Sequence, residues 1–197
     1  MNNIKNKMST NTMVLGALMT ALVIILQLLA TYTAFFGPFS TAIGLIPIVI
    51  GAVLCGPALG AWLGFVFGVV VILSGGAALF LAFDIPGTVI TVLCKGTLCG
   101  LFAGLVYKWL AKLNDFVAVL IASIVAPVTN TGIFLLGCAI FFLDDAEAIA
   151  AVVASADKGM TLFIGFALAN FLLEIGTNVV LSPIVLRLIK LRKATRT

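Results

Sequence analysis

DIPGTVITVLCKGTLCGLFAGLVYKWLAK, residues 84–112, reads as a membrane-spanning helix with a charge inside it. Pro86 and Gly87 interrupt the chain ahead of it, and Thr88 is a candidate N-cap. The apolar run that follows is about 20 residues long, enough to cross a bilayer. Lys95 interrupts that run. A central charge costs about 2.5–3.5 kcal/mol on insertion scales and is rarely left facing lipid. Thr88, Thr91, Lys95 and Cys99 recur at helical spacing and share a face. Gly96, Gly100 and Gly104 line another face, on which a neighbouring helix can approach closely. Lys108 and Lys112 close the helix and mark its cytoplasmic end.

The rest of the chain has the same character. It is 63% hydrophobic and 9% charged over 197 residues, against about 45–50% and about 25% in soluble domains. One all-α, polytopic membrane domain over 1–197 is expected, with the lipid bilayer as its solvent. The basic residues sit at span ends rather than on one surface, so nucleic acid is not an expected partner. The chain contains no histidine, which removes histidine-based triads, HExxH zinc sites and histidine proton relays. Cys55, Cys94, Cys99 and Cys138 lie in or beside apolar spans and read as buried, free thiols. No spacing among them suggests a metal site or a disulfide framework, and no cofactor is expected.

Six transmembrane helices are expected. Span one covers 13–31 and is too long for a signal peptide, so it reads as a retained helix. Span two (41–55) contains Pro47 and ends at a Gly56-Pro57 turn, and span three covers 58–73. Span four is the stretch already quoted. Span five (116–143) has Pro127 in its interior, and span six covers 160–188. The acidic segment between the last two holds a candidate interfacial helix at 146–156. Six spans put both termini on one side. Lys5, Lys7, Lys108, Lys112, Arg187, Lys190, Arg192, Lys193 and Arg196 collect there, against Lys158 alone on the other. The positive-inside rule makes that side cytoplasmic.

Two charges fall within spans, Lys95 and Glu174. At about 1.5 Å per residue, Lys95 lies about 10 Å and Glu174 about 20 Å from the outer ends of their spans. An ion pair between them requires tilt or stagger. Otherwise each is locked in helix packing, or the two face a ligand cavity. Asn170, Glu174 and Asn178 form one stripe on span six; Ser123, Pro127 and Asn130 form one on span five. Buried amides either bond across helices or hold a polar ligand. The stripes of Lys95, Asn130 and Asn170 can converge on one pocket. Tyr32, Phe35, Phe36, Phe39, Phe80 and Phe83 flank the outer ends, as ring-stacking partners or as an aromatic belt. Ala17 and Ala21 form a small-residue face on span one, suited to packing or to a partner.

The order of these features resembles one family. TMVLGALMTALVIILQ (12–27), IGLIPIVIGAVLCGPALGAWLGFVFG (43–68), CKGTLCGLFAGLVYKWL (94–110), PVTNTGIFLLG (127–137) and ANFLLEIGTNVVLSPIVLRL (169–188) carry the resemblance. The whole chain resembles an S component, the substrate-capturing membrane subunit of an energy-coupling-factor (ECF) transporter. Its riboflavin, folate and pantothenate branch is nearest. The resemblance implies capture of a vitamin at the outer face of the bacterial plasma membrane. It implies partnership with a membrane-embedded T subunit and two ATPases, and toppling in the membrane to release the vitamin. It implies substrate contacts from Lys95, Asn130 and Asn170, with Glu174 in the matching span-six block, and docking of the T subunit on Ala17 and Ala21. Thr91 joins the candidate substrate contacts from its place on the Lys95 stripe. The chain lacks a Walker A pattern and does not hydrolyse ATP itself. Two other classes stand beside this one: a small autonomous secondary transporter or channel, and an intramembrane enzyme. Against the enzyme, a rhomboid-like protease lacks its histidine here, and no DxxDG lipid-transferase motif is present.

Overall fold

The computed structural model describes residues 10–33, 44–142 and 159–194. All regular structure among them is helical: α1 (Thr10–Thr33), α2 (Leu45–Cys55), α3 (Pro57–Leu73), α4 (Ala78–Leu81), α5 (Ile85–Leu110), α6 (Asp115–Phe141) and α7 (Gly159–Ala194). Among the described residues, four segments are long and apolar enough to cross a membrane: Thr10–Tyr32, Ile85–Leu110, Asp115–Phe141 and Leu168–Leu191. The other two expected spans are shorter. α2 has 11 residues and α3 has 17, about 16 and 25 Å long against a hydrocarbon core of about 30 Å. Expected residues 41–43 of span two and 146–156 of the interfacial helix lie outside the described residues, as do Phe35, Phe36 and Phe39.

α2 sits in the middle and packs against α1, α3, α5, α6 and α7. Its Leu45, Ile48, Val49 and Ala52 are buried with Val23, Leu63 and Phe67 in the main core cluster. The turn into α3 follows from Gly56, whose φ of 99° a glycine adopts without a Cβ clash, and from Pro57 at the start of the next helix.

α3 and α5 make the most extensive helix–helix contact. The glycines explain it. A Cβ at Gly64 would strike the Gly96 carbonyl, and one at Gly60 would strike that of Gly100. A Cβ at Gly68 would lie 2.9 Å from the Val92 carbonyl oxygen, and one at Gly104 2.6 Å from Cα of Pro57. These four pairs run in opposite directions along the two helices, so the ladder fixes an antiparallel register. The glycine face expected on residues 96–104 is therefore used inside the fold, and it sets the height and rotation of Lys95.

Local details differ from the sequence expectation. The N-cap of α5 is Asp84, not Thr88: its carboxylate accepts from the Gly87 N–H at 3.1 Å. Pro86 is tolerated because the first helical turn needs no donor from it. The Thr88 hydroxyl instead donates to the Asp84 carbonyl at 2.6 Å. Residues 78–81, between expected spans three and four, form the single turn α4. Asn114 caps α6 through the N–H groups of Phe116 and Val117. Of the cysteines expected to be buried, Cys99 is; Cys94 is exposed on the outside of the bundle, and Cys55 and Cys138 are half-buried. Pro127 lies inside α6 as expected, and α7 carries a second interior proline, Pro183.

Candidate functional site

A cavity of about 230 Å³ opens where α1, α3 and α6 end, the end of the bundle opposite Lys108 and Arg187. α1 contributes Gln27, Ala30 and Thr31; α3 contributes Phe67 and Val71. Gly76, Ala77 and Phe80 close one side. α5 supplies Val92 and Lys95, α6 supplies Asn130, Thr131 and Phe134, and α7 supplies Asn170 and Glu174.

Four of the expected residues thus meet in one place: Lys95, Asn130, Asn170 and Glu174. Lys95 and Glu174 reach the same cavity although they lie 10 and 15 residues into their helices, α5 and α7. The hydrogen bonds to the Glu174 carboxylate, 1% exposed, come from the Asn130 and Asn170 amides and the Thr131 side chain rather than from Lys95. Asn170 Nδ2 donates to Oε1 at 3.0 Å, and Asn130 Nδ2 lies 3.4 Å from Oε2. The Lys95 ammonium lies 5.1 Å from the centroid of the Phe134 ring, a cation–π distance. Phe80 meets the same ring edge-on at 5.3 Å. The floor is thus a carboxylate held by two amides, and the wall a cation over an aromatic face.

The other expected residues are placed elsewhere. Thr91 is buried against Gly137 of α6 and does not line the cavity. Asn178 donates to the Glu174 carbonyl at 2.8 Å, so its amide works within α7. Phe83 is absent from the lining and Tyr32 is 77% exposed. On the far side of α1, Ala17 and Ala21 are exposed and line a shallow apolar groove with Met13, Ile24, Leu59 and Trp62. The Trp62 indole N–H donates to Thr20 at 3.3 Å and holds the rim of that groove.

Gln27 and Phe134 also line the cavity, and sequence reasoning did not single them out. Phe134 lies one turn beyond Asn130, so it shared a face with a residue already marked. Gln27 is the single amide of span one (13–31), the same kind of signal that marked Asn130 and Asn170.

A family model described as the substrate-specific component of ECF transporters matches residues 11–186. The chain belongs to this family. No curated protein and no solved structure matches it. It is therefore the S subunit of an ECF transporter: a multi-pass membrane protein from a family of transporter components rather than enzymes. The match takes in all the helices that build the cavity and the Ala17–Ala21 groove.

Proposed function

We propose that this S component captures a water-soluble vitamin of the pantothenate, riboflavin or folate class and presents it for uptake driven by a T subunit and two ATPases. The observation that supports this reading most is the convergence of Lys95, Asn130, Asn170 and Glu174 from three helices on one cavity. An ammonium inside an apolar bundle attracts a carboxylate or an electron-rich carbonyl, and the amides and Glu174 orient polar groups beside it. Phe134 and Phe80 offer ring surface to the rest of the solute.

In this reading six helices, all but the single turn α4, lie in the bilayer, the shorter α2 and α3 included. The basic residues at the ends of α5 and α7 lie in the cytoplasm with both termini, so the cavity opens outward. The exposed Ala17–Ala21 groove is where the T subunit docks: small side chains let another helix approach closely. Titrating the purified protein with pantothenate, riboflavin and folate tests the capture step. One of them binding without any partner subunit supports the reading; binding by none contradicts it. Uptake in cells lacking the T subunit and ATPases would instead identify an autonomous transporter.

A further inference from the structure

Gln27 is a polar residue of the cavity that the family reading leaves without a task. It is 2% exposed and lines the cavity from α1. Its two ends are treated differently. Nε2 donates to the Thr31 hydroxyl at 3.3 Å. Thr31 is itself anchored, donating to the Gln27 carbonyl at 3.1 Å and lying 3.0 Å from the Ser74 hydroxyl. The amide's donor end is thus committed to the junction between α1 and the end of α3. Its acceptor end, Oε1, is buried without a partner. The opposite wall repeats the arrangement. Asn130 turns Nδ2 toward Glu174 and leaves Oδ1 buried without a partner. A buried acceptor left unmade is costly, and native proteins keep few of them.

We infer that Gln27 is a specificity residue: its Oε1 accepts a hydrogen bond from the bound solute. The solute accordingly carries an N–H or O–H donor that faces α1, as well as the acceptor that faces Lys95. Asn130 Oδ1 takes a second donor on the other wall. The class of solute is a small compound with one anionic or carbonyl group and amide, ring N–H or hydroxyl donors around it. A compound with acceptors only leaves both oxygens unpaired and binds poorly. Discrimination by a missing hydrogen bond is strong for this reason.

This inference rests on the reading of the cavity as the solute site, and the test separates the two. Gln27→Met keeps the side chain's length and removes the acceptor together with the Nε2 donor to Thr31. Two quantities are measured in parallel with Lys95→Met: thermal stability without ligand, and affinity for pantothenate, riboflavin and folate. In Gln27→Met the ligand-free Tm should stay close to that of the wild type, because loss of the Nε2–Thr31 hydrogen bond and removal of an unpaired buried oxygen offset each other. Affinity for whichever probe the wild type binds should fall on the order of 5–150-fold. A large fall in ligand-free Tm, or failure to fold, makes Gln27 a structural residue and overturns the inference whether or not a probe binds. Wild-type affinity in Gln27→Met with weakened binding in Lys95→Met overturns the inference alone. Wild-type affinity in both variants overturns the reading of the cavity as well.

Discussion

Replacing Lys95 by methionine removes the cation from the cavity while keeping most of the side chain's bulk. The consequences differ sharply between a structural and a ligand-binding lysine. Were Lys95 the counter-ion that Glu174 needs, its loss would leave a buried carboxylate uncompensated, at a cost of about 3–5 kcal/mol. Here the carboxylate is hydrogen-bonded by Asn170 and approached by Asn130, and neither contact involves Lys95. The Lys95→Met protein should therefore fold and extract normally. Its ligand affinity should not survive. A charge-assisted hydrogen bond contributes roughly 1.5–3 kcal/mol, which is about 10–150-fold in Kd. Adding Glu174→Gln separates the cases further: Lys95→Met with Glu174→Gln should bind no better than Lys95→Met alone. The assay is calorimetric titration of the purified variants with the vitamin that binds the wild type. Near-wild-type affinity in Lys95→Met, or recovery in the double variant, refutes the reasoning.

Four further outcomes follow from other parts of the molecule. Gly64→Ala should lower stability by about 3 kcal/mol or more in a reversible unfolding titration, since its Cβ meets the Gly96 backbone, which cannot move aside as a side chain can. Gly132→Ala, where a Cβ meets nothing within 4 Å, should instead be neutral or stabilising by up to about 1 kcal/mol. Ala17→Trp or Ala21→Trp should abolish uptake by the full transporter and leave solute binding by the isolated subunit within about twofold, because the groove lies on the outside of α1 and away from the cavity; equal loss of both would place the alanines in the fold's own packing. A cysteine at position 150 should react with an impermeant thiol reagent added outside, and one at position 195 should not; the reverse pattern would invert the orientation and close the cavity to the outside.

Much of the site was legible because polar groups are costly in an apolar span. Lys95, Asn130, Asn170 and Glu174 each stood out for that reason, and helical periodicity gave the face each occupies. Periodicity does not say how far a side chain reaches. Thr91 shares the stripe of Lys95, yet its short hydroxyl stops against Gly137, whereas the longer lysine reaches the cavity. Nor does periodicity show which way an amide turns, so Gln27 passed as one polar residue in a packed helix. The glycine face of α5 was visible, but only the antiparallel register with α3 shows which helix it packs against. The cap at Asp84 was missed because Pro86 and Gly87 read as breakers, although a proline within the first turn leaves the helix intact. Helix length was legible for α1, α5 and α6. It was not for α7, whose 36 residues continue past the apolar segment into its basic end.

The most direct test of the cavity as a solute site is mass spectrometry of the protein purified under mild conditions from cells grown in rich medium, with wild type and Lys95→Met treated alike. A vitamin-sized molecule retained near one per chain by the wild type, and lost from a folded Lys95→Met, is the result expected. The same molecule retained equally by both proteins would contradict the account, because binding would then not depend on the cation at the centre of the cavity.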